Sequence, residues 1–207
     1  MQDLFVSAFV TLFVVIDPPG CAPIFAGLTS SAPLSAARRM AIRACIVASL
    51  ILLVFALFGE QLLGALHIEL NSFRIAGGIM LFLIAIDMVF EKRTERREKR
   101  AEEILTAEEV DDVSVFPLAI PMIAGPGSIA TIMLLMSRAE GTEATLVILA
   151  ALAAVMVLCL LALLAAGPLM RLVGAKAEAV VTRLLGVLLA ALAAQYVIDG
   201  LRAVIAG

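Results

Sequence analysis

Six long apolar stretches, separated by shorter polar ones, run along the sequence, and each is long enough for a helix that crosses a bilayer. They cover residues 4–28, 44–66, 73–90, 115–136, 144–169 and 180–198. The second and fifth stretches are apolar on every face of a helix, as expected of segments that contact both lipid and protein. The pattern therefore predicts an all-α membrane protein built as a bundle of six spans.

Two of the six stretches are interrupted near their middle by residues that break helices. The first contains the run DPPG at 17–20, and the fourth contains GPGS at 125–128. Proline lacks an amide hydrogen, and within a bilayer the backbone groups that it frees must find partners in protein or line a wet cavity. Broken spans in matching positions of two halves of a chain are typical of the binding site of a secondary transporter.

The candidate site comprises both breaks and one polar residue deep in the last stretch. Its substrate-binding residues are predicted to be Asp17, Pro18, Pro19, Gly20, Gly125, Pro126, Gly127, Ser128 and Gln195. For Gln195, hydrogen bonding between helices is an alternative role.

The second break has the chemistry of an anion site. A half-helix that begins at Ser128 would direct its first backbone N–H groups and its positive dipole end inward. Gly125 and Gly127 have no side chain that would cover those amides, and the Ser128 hydroxyl could cap the helix or contact a ligand. We expect the carboxylate of a zwitterionic substrate to bind here.

The first break carries a carboxylate of its own. Asp17 followed by Pro18 is typical of a helix N-cap and the first helical residue, so Asp17 would neutralise its own helix end. An ionised Asp at mid-membrane costs about 2.5 to 3.5 kcal/mol, whereas the helix dipole returns at most about 2 kcal/mol. Three roles remain open for Asp17: a satisfied cap, a site for a proton or the substrate's ammonium group, and the lining of a solvated cavity.

Composition and charge exclude several other classes of protein. Apolar residues make up 63% of the 207 residues and charged residues 16%, which leaves too little polar surface for a water-soluble particle. The net charge of -3 argues against a nucleic-acid partner. One histidine and three unevenly spaced cysteines predict no metal site, and we expect no cofactor and no enzymatic activity, since no catalytic pairing of side chains is evident.

The basic residues set the predicted orientation. With the N-terminus outside, 12 of the 15 Lys and Arg residues face the cytoplasm, and only Arg74, Arg138 and Arg202 lie at the outer side. The count predicts that both termini are periplasmic and that the polar stretch 91–112 is cytoplasmic.

Weak internal similarity predicts an inverted repeat. RIAG at 74–77 corresponds to RLLG at 183–186 with an offset of 109, and PG at 19–20 corresponds to PG at 126–127 with an offset of 107. Three spans in each half would make the second half enter the membrane from the opposite side. We therefore expect two inverted three-helix repeats, 1–90 and 113–207, joined by a cytoplasmic linker at 91–112.

Several motifs resemble one known family. The runs VFPLAIPMIAGPGSIATI, FRIAGGIMLF, TRLLGVLLAALAAQYVIDGL, DPPGCAPIF and MRLVG are similar to those of the MarC family of bacterial inner-membrane proteins. That family is also described as small neutral amino acid transporters and is related to the lysine-exporter superfamily. The resemblance implies a six-span inner-membrane protein that moves glycine- or alanine-like substrates together with protons.

Two other functions compete with this expectation. The chain could export another small or toxic solute, including drugs, or it could be a membrane scaffold that transports nothing. The expected partners of a transporter are a small zwitterionic substrate, protons and the lipid bilayer, and an oligomer is compatible with all three readings.

Overall fold

A computed structural model describes residues 1–30, 32–90 and 112–206, with the backbone alone over 167–179 and at 206. The part of the chain that it describes is helical and contains no strand. Seven α-helices lie in these ranges: α1 Gln2–Ile16, α2 Pro18–Leu28, α3 Leu34–Ala65, α4 Leu70–Val89, α5 Pro126–Met136, α6 Gly141–Leu164 and α7 Ala166–Ala206. The predicted linker, 91–112, lies outside the described residues except for Asp112.

Five segments are long and apolar enough to cross a membrane: Gln2–Leu28, Leu34–Ala65, Leu70–Val89, Gly141–Leu164 and Val180–Ile205. A sixth span results if the irregular segment Ser114–Ile123 and α5 are counted together, and these two are bent by 53° relative to each other. The all-helical membrane fold is thus confirmed, with five or six spans.

The boundary between the fifth and sixth spans differs from the sequence expectation. The apolar pattern ends the fifth span at 169 and starts the sixth at 180, whereas α6 ends at Leu164 and α7 already begins at Ala166. Hydropathy reports where the chain leaves lipid, not where its helix ends, and the intervening MRLVGAKAEA is rich in good helix formers. One 41-residue helix therefore continues through the predicted loop.

The helices α4 and α7 pack closely and antiparallel, because glycines on each allow the other to approach. A methyl group built on Gly78 would lie 2.7 Å from Val197, and one on Gly186 would lie 2.8 Å from Met88. The partner of Gly200 is Ile75, which continues the same antiparallel register.

The remaining contacts bring the two broken spans against this pair and against each other. The helices α1 and α2 pack on α6, and Ser114–Ile123 and α5 pack on α3. The helix α5 also touches α1 and α4. The second break is therefore surrounded by protein on several sides.

Candidate functional site

The first break is a single residue wide. Asp17 has φ of 59° and ψ of 64°, the left-handed conformation, and separates α1 from α2. Its Oδ1 accepts a hydrogen bond from the Gly20 N–H at 3.2 Å, and Pro18 and Pro19 occupy the first helical positions, where no amide hydrogen is required. This is the cap that an Asp-Pro pair predicts, so a carboxylate already occupies the start of α2.

The second break has a different local structure. Gly125 is extended, with φ of -81° and ψ of 172°, and α5 starts at Pro126 with no side-chain cap. The start predicted from the sequence, Ser128, is two residues too late. Pro126 belongs to the helix rather than to the break, because the fixed φ of proline suits the first turn. The Ile129 N–H donates to Gly125 O at 3.0 Å, so the amides of Gly127 and Ser128 have no partner within their own helix.

The start of α5 lies against the end of α1. A methyl group built on Gly127 would lie 3.5 Å from Val15 Cγ1 and 2.4 Å from Ile84 Cδ1 of α4. Val15 is two residues from Asp17, so the two breaks are neighbours. Asp17 and Ser128 are only 2% and 3% exposed, and the region between the breaks is therefore closed to solvent in this conformation.

Three residues that contribute to the second break were not identified from the sequence. Val15 and Ile84 cover Gly127, and the buried Thr131 hydroxyl donates to Gly127 O at 2.7 Å. Only Thr131 had a usable signal, since it lies four residues after Gly127, where threonine often bonds back to the helix backbone. Val15 and Ile84 are ordinary apolar residues, and nothing in the sequence separates them from their neighbours.

The other predicted site residues lie in two places. Pro18 and Gly20 are buried at the start of α2, Pro19 is half-buried, and Pro126 is exposed. A methyl group on Gly20 would lie 2.3 Å from Asp17 Oδ2, so glycine here leaves room for the capping carboxylate.

Gln195 lies apart from both breaks. It is exposed on α7, and its amide donates to Asp199 Oδ1 at 2.7 Å. Asp199 Oδ2 also accepts from Arg138 at 2.7 Å, and the Arg138 guanidinium lies 4.5 Å from the ring centre of Tyr196. Arg138 follows the end of α5 whereas the break precedes its start, so most of an 11-residue helix, about 16 Å, separates them.

The three cysteines come together in the core, which their spacing did not indicate. Cys21, Cys45 and Cys159 are free and buried, and the three thiols lie close enough to influence one another. They join α2, α3 and α6. No cluster that could hold a metal ion occurs among the residues that the structure describes.

Asp112, just before the second broken span, connects Ser114 to Arg43 through hydrogen bonds, and this group is called the polar tether below. The Ser114 N–H donates to Asp112 Oδ1 at 2.9 Å, and Arg43 of α3 pairs with Oδ2. Hydrogen bonding from Ser114 is the largest influence on the Asp112 carboxyl and lowers its pKa below the ordinary value, although burial acts in the opposite direction. The Arg43 guanidinium lowers the pKa further. The polar tether therefore fixes the entry to Ser114–Ile123 against α3.

Comparison with known sequences identifies the family. The sequence matches the family described as MarC family integral membrane protein over residues 2–205, a range that includes both breaks. The chain belongs to the MarC family.

The relatives of this MarC protein cover nearly its whole length. It is 38% identical over 199 residues to a UPF0056 membrane protein of Methanocaldococcus jannaschii, covering 96% of both chains. A UPF0056 membrane protein of Archaeoglobus fulgidus is 36% identical (96% of this chain, 92% of the relative), and UPF0056 membrane protein YhcE of Escherichia coli is 30% identical (96% and 92%). No solved structure gives a significant match. The chain is therefore an integral, multi-pass membrane protein with bacterial and archaeal relatives whose names state no substrate.

Proposed function

We propose that this MarC-family protein is a secondary transporter of small neutral amino acids of the size of glycine or alanine, coupled to protons. The observation that carries the proposal is the pairing of an uncapped helix start at Gly127 and Ser128 with a carboxylate-capped one at Asp17, both buried and adjacent. A zwitterionic amino acid carries one charged group for each of these two helix starts. Its carboxylate would bind the amides of the α5 start, and its ammonium group or a proton would bind at Asp17.

The small volume around the breaks favours a small substrate. Gly20, Ala124 and Gly127 are all buried there, and added methyl groups on Gly20 and Gly127 would overlap neighbouring atoms. Because the breaks are closed to solvent, transport requires a second conformation in which Ile84 or α4 moves away from Gly127. This is the alternating-access behaviour expected of secondary transporters.

The proposed movement is the rocking of two inverted repeats, 1–90 and 113–207. Reciprocal packing supports the repeat. The first broken span packs on α6, the second span of the other half, and the second broken span packs on α3, the second span of the first half. The close contacts of Gly78 with Val197 and of Gly186 with Met88 are also nearly reciprocal, because Met88 and Val197 differ by the same offset of 109 as the sequence repeat.

Purified protein in liposomes tests this function. We expect uptake of labelled glycine or alanine that rises when a proton gradient is imposed, and exchange of labelled for unlabelled substrate without a gradient. Leucine and lysine are the comparison substrates, and both should be transported poorly because the close packing around the breaks leaves no room for their longer side chains. Failure of both uptake and exchange would favour an exporter of another solute or a scaffold that transports nothing.

The proposed location is the bacterial inner membrane with both termini periplasmic. Single cysteines at positions 3 and 202, introduced one at a time, should react with a membrane-impermeant maleimide added to intact spheroplasts. The native thiols are buried and provide a low background. Labelling only after lysis would reverse the orientation.

A further inference from the structure

A small cavity lies at the opposite end of α5 from the second break. It has a volume of about 170 Å³ and is bounded by the end of α3, the end of α5 and the first turns of α4 and α6. Its polar lining residues are Glu60, Gln61, Ser137 and Thr145. The volume corresponds to about five or six water molecules at about 30 Å³ each, so it suits a ligand with about that many non-hydrogen atoms.

The hydroxyl groups of the lining have already committed their hydrogens to the backbone. Ser137 Oγ donates to Leu134 O at 2.9 Å, and Thr145 Oγ1 donates to Gly141 O at 3.2 Å. Each hydroxyl oxygen therefore offers the cavity lone pairs and no donor.

Gln61 and Glu60 add further acceptors. The Gln61 amide is satisfied when its NH₂ group donates to Leu57 O and Phe58 O at 3.1 and 3.2 Å, which leaves its carbonyl oxygen available. Glu60 contributes a carboxylate, and no basic side chain among the described residues pairs with it. The nearest arginine in sequence to the end of α5, Arg138, is engaged with Asp199.

The helix dipole of α5 on its own, like the acceptor groups, favours a cation in the cavity. The helix ends at Met136, so the negative end of its dipole points toward the cavity. However, the negative ends of α3 and α5 and the positive starts of α4 and α6 all border the cavity, so the lining side chains decide which ligand fits. They combine a carboxylate with three neutral acceptors, and the hydrogens of Gln61, Ser137 and Thr145 are all donated to backbone carbonyls. One carboxylate is too few for Ca²⁺, which takes six to eight oxygen ligands (about 2.3–2.6 Å) and usually several carboxylates.

We propose that this cavity binds small protonated primary amines. The ammonium group would donate to Glu60 and to the oxygens of Gln61 and Ser137, and a short alkyl part would lie against Met133 and Met136. This inference goes beyond the proposed transport function, because most of the length of α5 separates the site from the breaks and the site could be occupied without any transport.

Calorimetric titration of the purified protein in detergent with ethylammonium chloride tests the site. Glu60→Gln keeps the shape of the side chain and removes the charge, and it should weaken binding at least about tenfold, since charge-assisted hydrogen bonds are lost. Asp3→Asn removes an exposed carboxylate elsewhere and should leave the affinity unchanged. Tetramethylammonium, which has the charge but no N–H donor, and sodium acetate should each bind at least about tenfold more weakly than ethylammonium.

A second variant guards against misfolding of Glu60→Gln. Ala139→Leu changes a half-buried cavity residue in the loop after α5 and should fill the space, abolishing ethylammonium binding while the circular dichroism spectrum stays helical. Equal affinity in the wild type and in folded Glu60→Gln would overturn the proposal. So would equal binding of ethylammonium and tetramethylammonium, or unchanged binding by Ala139→Leu.

Discussion

The two breaks use the same residue types, proline and glycine, with opposite results. At the first, Asp17 caps α2 and the segment Gln2–Leu28 still reads as one span of 27 residues. At the second, α5 has no side-chain cap and the span bends by 53°. One helix start is therefore already capped by a side chain of the protein, while the amides of the other are left to a ligand or a neighbouring group.

The glycines show why the two sites respond differently to change. An added methyl group at Gly20 would meet the Asp17 carboxylate, a side chain that can rotate. At Gly125 it would meet the backbone carbonyl of Pro121 at 2.3 Å, which cannot move without shifting the chain. At the first break a movable side chain restricts an added methyl group, whereas at the second break the backbone itself does.

Gly125→Ala should have the largest effect. Because the obstacle is backbone, we expect the free energy of unfolding to fall by about 1 to 3 kcal/mol and amino acid uptake to be lost. Gly27→Ala is the matched control, since nothing lies within 4 Å of its added methyl group, and it should change stability by less than about 0.5 kcal/mol. Chemical denaturation and liposome uptake measure both, and a Gly125→Ala protein with wild-type stability and flux would show that the second break tolerates a side chain.

Substitutions of Asp17 separate capping from charge. Asp17→Ala removes the cap and should cost about 0.5 to 2 kcal/mol of stability, whereas Asn caps as well as Asp and should leave stability nearly unchanged. If Asp17 also holds a proton or the substrate's ammonium group, Asp17→Asn should lose uptake driven by a proton gradient while the protein remains folded.

Thermal unfolding and gradient-driven uptake of the two variants should be compared side by side. Full uptake by Asp17→Asn would reduce Asp17 to a cap, and the first break would then take no part in the chemistry.

Ser128→Ala probes the uncapped helix start more gently. The backbone amides remain, so we expect KM for glycine to rise about three- to tenfold, the loss of one hydrogen bond, with little change in maximal rate. Ser7→Ala, at an exposed position in α1, is the control. An unaltered KM would indicate that the amides alone bind the carboxylate.

The smallest expected effect is at Asp112, which tethers the entry of the second broken span to Arg43. Its pKa in the folded protein lies below the ordinary 3.8, so its stabilisation is present above that value and is lost as pH falls through the folded pKa. The pair is largely exposed, and the contribution should be no more than about 1 kcal/mol. Asp112→Asn should lower the melting temperature slightly near pH 7 and make no difference once the pH lies below the folded-state pKa of Asp112. An equal difference at both pH values would assign the effect to packing.

The order of apolar residues, prolines and aspartate along the sequence determines most of the helical segments of this protein. An apolar run of about 20 residues must form a helix in lipid, because every backbone hydrogen bond has to be made within the segment. Proline at 18, 19 and 126 marks where a new helix begins within such a run, and an aspartate before proline caps that helix. The spans, both breaks and the cap of α2 were therefore predictable.

Tertiary structure alone decided which residues face each other. Spans that are apolar all round carry no stripe to mark an inner face, so the sequence did not indicate that Val15 and Ile84 cover Gly127 or that Cys21, Cys45 and Cys159 meet. From the sequence, Gln195 was expected at the depth of the site. The rotation and register of α7 instead place Gln195 beside Asp199, at the far end of α5. Lipid specifies how long each helix must be, and only packing between helices fixes how each one is turned.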